Sequence, residues 1–131
     1  MPNRAKDWLQ QARRNLDQAE ESAAAGRHEW ACFASHQAAE MAVKGLHLSL
    51  GEEAWGHAIR KLLETLPGTV KVPPNMVESA RALDLHYIPA RYPNGHVTGS
   101  PGENYGPLQS GEAIGHAREI VEFCRLQMAG P

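Results

Sequence analysis

Apolar residues along this chain recur every three or four positions with polar and charged residues between them, the spacing of helices that bury one face. From Asn3 to about Ala25, Trp8, Leu9, Ala12, Leu16, Ala19 and Ala23 share a side, and Gly26 supplies a stop. A second helix is predicted from about Glu29 to Leu50, ending at Gly51. One of its stripes is unusually small: Ala31, Ala34, Ala38, Ala42, Gly45 and Ser49. Small side chains let a neighbouring helix come close, which puts this helix at the centre of the fold. A shorter helix carries Ile59, Leu62, Leu63 and Leu66 and is closed by Pro67-Gly68. Pro73-Pro74 marks a turn in which proline can take the first position of a fourth helix. That helix carries Met76, Val77, Ala80, Leu83 and Tyr87 and must end before Pro89. The last helix is expected to start with Ser110 as N-cap and Glu112 in its first turn, burying Ala113, Ile114, Ala117, Ile120, Val121 and Cys124. Between them, residues 88–109 hold prolines at 89, 93, 101 and 107 and glycines at 95, 99, 102 and 106. A connection of that length in a compact domain is either functional or mobile.

No strand alternation and no internal repeat interrupts this pattern. The expectation is one all-α domain over residues 1–131: an up-and-down bundle of four main helices plus one short helix, with a long Pro/Gly-rich loop before the last. The length fits a single domain, and 42% hydrophobic residues are enough for a packed core. A net charge of -2 and a pI near 6.4 argue against nucleic-acid binding by bulk charge, which needs clustered Lys and Arg. Cys32 and Cys124 lie far apart in apolar stretches and read as buried thiols. The N-terminal residues lack an apolar signal core, and no apolar run approaches the roughly 18 residues that span a bilayer. The chain therefore reads as soluble and cytoplasmic.

Two segments place a histidine five residues after an arginine: Arg81 with His86, and Arg91 with His96. An imidazole can take a proton from a ribose 2′-hydroxyl, while a guanidinium holds the scissile phosphate and offsets its growing charge. On a helix, positions five apart do not share a face, so Arg81 and His86 should diverge and be structural. Pro93-Asn94-Gly95 is a strong turn signal that can fold Arg91 and His96 towards each other. The bland alternative pairs Arg91 with a carboxylate such as Asp84 and leaves His96 solvated. On the second helix, Glu40 precedes Lys44 by four residues, a favourable ion-pair spacing. With Gln37 they form a polar stripe that reads first as a boundary pair, but could reach inward and anchor Arg91 or His57. Seven histidines invite a metal hypothesis, yet no HxxxH or HExxH spacing occurs and the cysteines lack ligand spacing. No glycine loop for phosphate and no nucleophile elbow is present either, so neither a metal nor a cofactor is expected.

Trp30-Ala-Cys-Phe33, Gln37-Ala-Ala-Glu40, Lys44-Gly45, Gly56-His57-Ala-Ile-Arg-Lys-Leu62-Leu63 and Tyr87-Ile-Pro-Ala-Arg91-Tyr92-Pro93 stand in an order and spacing that resemble the HEPN family. The resemblance runs from Trp8 to the last helix. It implies a four-to-five-helix up-and-down bundle, in agreement with the periodicity, and a link to nucleotide binding. Many HEPN proteins resemble metal-independent ribonucleases with an Arg-x4-6-His motif, acting as dimers whose two motifs face one cleft. Carried onto this chain, Arg91 would bind phosphate and His96 would act as base, leaving a 2′,3′-cyclic end. Glu40, Lys44, His57, Tyr87 and Tyr92 would support or bind substrate. Prokaryotic members often resemble toxins paired with a minimal nucleotidyltransferase as antitoxin. In active members the residue after the arginine is usually polar, whereas here it is Tyr92. Arg91-Tyr92-Pro93 therefore also reads as a structural signature fixing the loop against Glu40. In that case the chain would be a non-catalytic partner binding a nucleotide or a protein.

Overall fold

A computed structural model of the protein describes residues 3–129. They form six helices: α1 (Ala5–Ala24), α2 (His28–Ser49), α3 (Ile59–Glu64), α4 (Pro74–Asp84), α5 (Pro101–Asn104) and α6 (Pro107–Ala129). The long α1, α2, α4 and α6, with the short α3, are the helices that the periodicity predicts. Among the described residues there is no strand, so the all-helical bundle stands. α1 and α2 end before Gly26 and Gly51, both in the left-handed region.

α2 lies at the centre and packs against all five other helices. Its small stripe is the reason. Ala31, Ala34, Ala38 and Ala42 are buried, and a Cβ added at Gly45 would stand 3.1 Å from Trp8 Cβ and 3.3 Å from the Ala5 carbonyl oxygen of α1. Leu46, Ile59, Leu63, Leu83 and Ile120 fill the space that remains, each worth roughly 1.5–3 kcal/mol on full burial. Cys32 and Cys124 belong to this core as free thiols, and burial pushes both up to about 12.

Three boundaries depart from expectation. α3 stops at Glu64, so Leu66 lies beyond the helix. α4 stops at Asp84, so Tyr87 lies in the turns that follow and not on the helix. α6 starts at Pro107, and Ser110 is no N-cap: it is buried inside the helix, bonded to His28 Nδ1 at 2.8 Å. The proline is already set for a first helical turn, and the Gln109 side chain reaches back to accept the Gly106 N–H at 2.9 Å. That pair, not Ser110 with Glu112, starts the helix.

The long connection is broken up by a 3-10 turn at Pro93–Gly95 and by α5, whose N-cap is Ser100. It is tied down by Tyr105, whose hydroxyl donates to His86 Nδ1 at 2.9 Å. Burial pushes the Tyr105 hydroxyl up to about 12, so it stays a donor. Burial, helped by His36 and His116, lowers His86 from its ordinary 6.5 to about 4, so the ring stays neutral as an acceptor.

Two outcomes are expected. Gly45→Leu should cost about 1–3 kcal/mol through overpacking of α1 on α2, read as a lower melting temperature with helicity retained. Between pH 6.5 and 4 the unfolded chain protonates His86 while the folded chain does not, so its contribution is complete above that window and fades as pH falls through it. Melting temperature against pH should therefore fall less steeply across the window in His86→Gln than in the wild type; equal slopes would contradict the neutral, buried His86.

Candidate functional site

One face of α2 carries Phe33, Gln37, Glu40 and Lys44 at spacings of three and four. The stripe turns inward. Glu40 is only 5% exposed, and a carboxylate there must be compensated. Its Oε2 accepts from Lys44 Nζ at 3.0 Å and its Oε1 from His57 Nδ1 at 3.0 Å. Of the two readings of the Glu40–Lys44 stripe, the inward one holds: the stripe anchors His57, which arrives from the segment before α3, and not Arg91.

One turn earlier, the fully buried His36 donates from Nε2 to the His57 carbonyl at 2.9 Å and stands 3.4 Å from Asp84 Oδ1. Asp84 closes α4, and its two carboxylate oxygens accept the backbone N–H groups of Ile59 (2.7 Å) and Arg60 (3.0 Å). A residue from another helix therefore caps α3, with the negative charge placed where the helix end favours it. His57 is held by its backbone to α2 and by its side chain to Glu40. The opposite ring nitrogen, Nε2, makes no hydrogen bond among the described residues, and the side chain is 55% exposed.

Tyr87 connects this arrangement to the loop. Its ring stacks on His57, with centroids 4.7 Å apart and planes 17° apart. The guanidinium carbon of Arg91 sits 4.6 Å from the Tyr87 ring centre, 4.5 Å from that of Phe33 and 5.2 Å from that of Tyr92. Arg91 Nε donates to the Tyr87 carbonyl at 2.9 Å. Among the described residues Arg91 meets no carboxylate. The expected pairing with Asp84 fails because Asp84 is spent on α3 and His36. The expected fastening of Arg91-Tyr92-Pro93 against Glu40 fails because Lys44 and His57 occupy that carboxylate. Aromatic rings hold the guanidinium in their place.

At the far end of the 3-10 turn, His96 donates from Nε2 to the Pro89 carbonyl at 2.6 Å and meets the Tyr105 ring edge-on at 5.8 Å. The turn fits because Gly95 lies against Pro89, where a Cβ would come within 2.9 Å of the proline Cα. With Nε2 donating, Nδ1 is the ring nitrogen left with a lone pair. No hydrogen bond joins Arg91 to His96 within the protomer. The other Arg–His spacing separates: Arg81 lies at the surface beside Glu78, and His86 faces Tyr105.

The structure thus brings together Glu40, Lys44, His57, Tyr87, Arg91 and Tyr92, with His96 on the same loop. Sequence reasoning gave no site role to Phe33 or His36, and it gave Asp84 a different one, as partner of Arg91. Phe33 could have been found, since it continues the Gln37–Glu40–Lys44 face towards the helix start; the cap by Asp84 has no local signal. Among the described residues no three His, Cys, Asp or Glu side chains are placed to hold a metal ion. Chemically, the site offers a planar cation with its terminal nitrogens uncommitted to any carboxylate and an oriented imidazole on the same tyrosine, with a second imidazole further along the loop.

No helix of the described chain is long and apolar enough to cross a membrane. None of the curated proteins matches the chain significantly. Among solved structures, TT1696 from Thermus thermophilus is 49% identical with a TM-score of 0.94, covering 96% of this chain and 99% of that one. ST0689, an archaeal HEPN homologue, is 37% identical with a TM-score of 0.82 over 98% of this chain and 99% of its own. An HEPN domain protein from Thermotoga maritima, tm0613, is 27% identical with a TM-score of 0.78 over 95% and 99%. The HEPN domain model matches residues 5–127, nearly the whole chain. This chain belongs to the HEPN family.

Proposed function

We propose that this protein holds an RNA phosphodiester at Arg91 and cleaves it without a metal ion, as a toxin-like endoribonuclease working as a dimer. The observation that carries the reading is the state of Arg91: a guanidinium fixed by Nε and by three aromatic rings, with no carboxylate to neutralise it. Such a group is set to grip a phosphate and to supply the positive charge that a metal ion would otherwise bring. The half-exposed Tyr92 and Trp30 offer faces on which bases can stack. His96 keeps a basic Nδ1 for the 2′-hydroxyl proton. Since no bond links His96 to Arg91 in one protomer, the reading places motifs from two protomers at a common cleft. Leu85, Ile88 and Val97, exposed on the connection that bears the motif, and Leu108, exposed at the start of α6, offer apolar surface for that contact.

A second reading is favoured by the 2.6 Å bond from His96 to the Pro89 carbonyl, which makes the ring a strut of the loop. In that case the protein is a non-catalytic partner of a minimal nucleotidyltransferase, binding a nucleotide or the partner through the same surface. The pI near 6.4 agrees with it.

In EDTA, the wild type should cut single-stranded RNA to 2′,3′-cyclic ends. Arg91→Ala and His96→Ala should each lose about 100-fold or more while keeping helicity, in line with the usual worth of such groups. An intact wild-type dimer that leaves RNA uncut, yet binds nucleotide dependent on Arg91, would replace the enzyme with the binding partner.

A further inference from the structure

Cleavage of RNA by its own 2′-hydroxyl moves two protons. One leaves the attacking oxygen, and one must reach the departing 5′-oxygen. Arg91 with His96 accounts for the phosphate and for one proton only. We propose that His57, oriented by the buried Glu40, is the general acid that protonates the 5′-oxygen; the proposal rests on the ribonuclease reading above.

The geometry around His57 has three parts. First, its backbone is already fixed, because its carbonyl accepts from His36 and the following residues are capped by Asp84. The imidazole is therefore not required to anchor the segment before α3. Second, Glu40 accepts a hydrogen bond from Nδ1–H at 3.0 Å, which keeps a proton on that nitrogen and aims Nε2 away from the carboxylate. A histidine held this way by a buried acid is arranged as proton-transfer histidines are, with one nitrogen for orientation and the other for substrate. Third, the ring and the Arg91 guanidinium each lie under 5 Å from the centre of the same Tyr87 ring. The imidazole centre and the guanidinium carbon are therefore no more than about 9 Å apart, and in the proposal the scissile phosphate and its 5′-oxygen lie across that span.

A cleft of about 600 Å³ opens beside His57, lined among others by His47, Trp55, Gly56, Lys61 and Leu62. Trp55 is 83% exposed, an unusual position for so large an apolar ring. The leaving strand would lie here, a base against Trp55 and a phosphate towards Lys61.

The step balances as follows. The 2′-oxygen forms a bond to phosphorus as the bond from phosphorus to the 5′-oxygen breaks. His96 Nδ1 takes the proton from the 2′-hydroxyl; His57 enters the step as the imidazolium, gives its Nε2 proton to the 5′-oxygen and is left neutral with Nδ1–H still on Glu40. The products are a 2′,3′-cyclic phosphate and a free 5′-hydroxyl, and exchange with water resets both rings.

The test uses two oligoribonucleotides that differ in one atom, the bridging 5′-oxygen at the cut site or a sulfur in its place. A thiolate leaves without protonation, so a missing acid no longer matters. His57→Ala should cut the oxygen substrate about 100-fold or more slowly than the wild type and recover near-wild-type rates on the sulfur substrate. His96→Ala should be slow on both. Glu40→Gln, a positioning change, should lower kcat more than it raises KM, with the loss relieved by sulfur. Melting curves confirm that each variant is folded, and His57→Gln, which keeps a donor towards Glu40, repeats the comparison. A His57→Ala enzyme at wild-type rate on oxygen, or equally impaired on both substrates, would overturn the proposal while leaving the ribonuclease reading in place. A wild type that cuts neither substrate would overturn that reading and the proposal with it.

Discussion

Glu40 is a carboxylate placed inside a helical bundle, and much of the surrounding architecture can be understood as the consequence. An unpaired charge at that depth would cost several kcal/mol. Lys44 offsets part of this from the next turn of α2, and His57 supplies the second partner only if the segment before α3 runs along α2. Backbone bonds fix that course and the start of α3. His36 and Asp84 make them from two further directions, one by holding the His57 carbonyl and the other by capping the helix. Side chains from α2, α4 and the connection before α3 thus settle one another. Glu40 is the shared partner: without it, Lys44 and the His57 imidazole would both lose their carboxylate.

The same cluster explains why the candidate site faces outward. Because Glu40 and Asp84 are both committed internally, neither is free to quench Arg91, although Arg91 lies on the adjoining loop. The guanidinium is held instead by Phe33, Tyr87 and Tyr92. Aromatic rings fix its position without neutralising it, an arrangement that suits an anion-binding group. Tyr87 belongs to both systems, stacking on His57 as well as on Arg91. It is the physical link between the ionic interior and the surface that carries Arg91.

The small stripe of α2 plays a different part. Packing α1 close at Gly45 leaves α2 surrounded by other helices, and this lets polar side chains on its remaining face meet partners from several directions. A central helix with bulkier residues would hold its neighbours too far away for hydrogen bonds near 3 Å.

The sequence by itself determined the helices, their approximate limits and the central place of α2. Each of these follows from periodicity, small residues and Gly/Pro punctuation, all of which act within a few positions along the chain. It also brought Arg91, His96, Glu40, Lys44, His57, Tyr87 and Tyr92 into consideration, although through family resemblance more than spacing. Local signals also compete at the start of α6: Ser110 is an N-cap residue by type, yet Pro107 with Gln109 opens the helix. Only the tertiary structure decided which carboxylate meets which cation. Asp84 and Glu40 were both reasonable partners for Arg91 along the chain, and both were claimed by groups that are close only after folding. Phe33 beneath the guanidinium and His36 against the His57 carbonyl are pairings of the same kind. Such choices depend on competition among buried groups across helices, and that competition has no local trace in the order of residues.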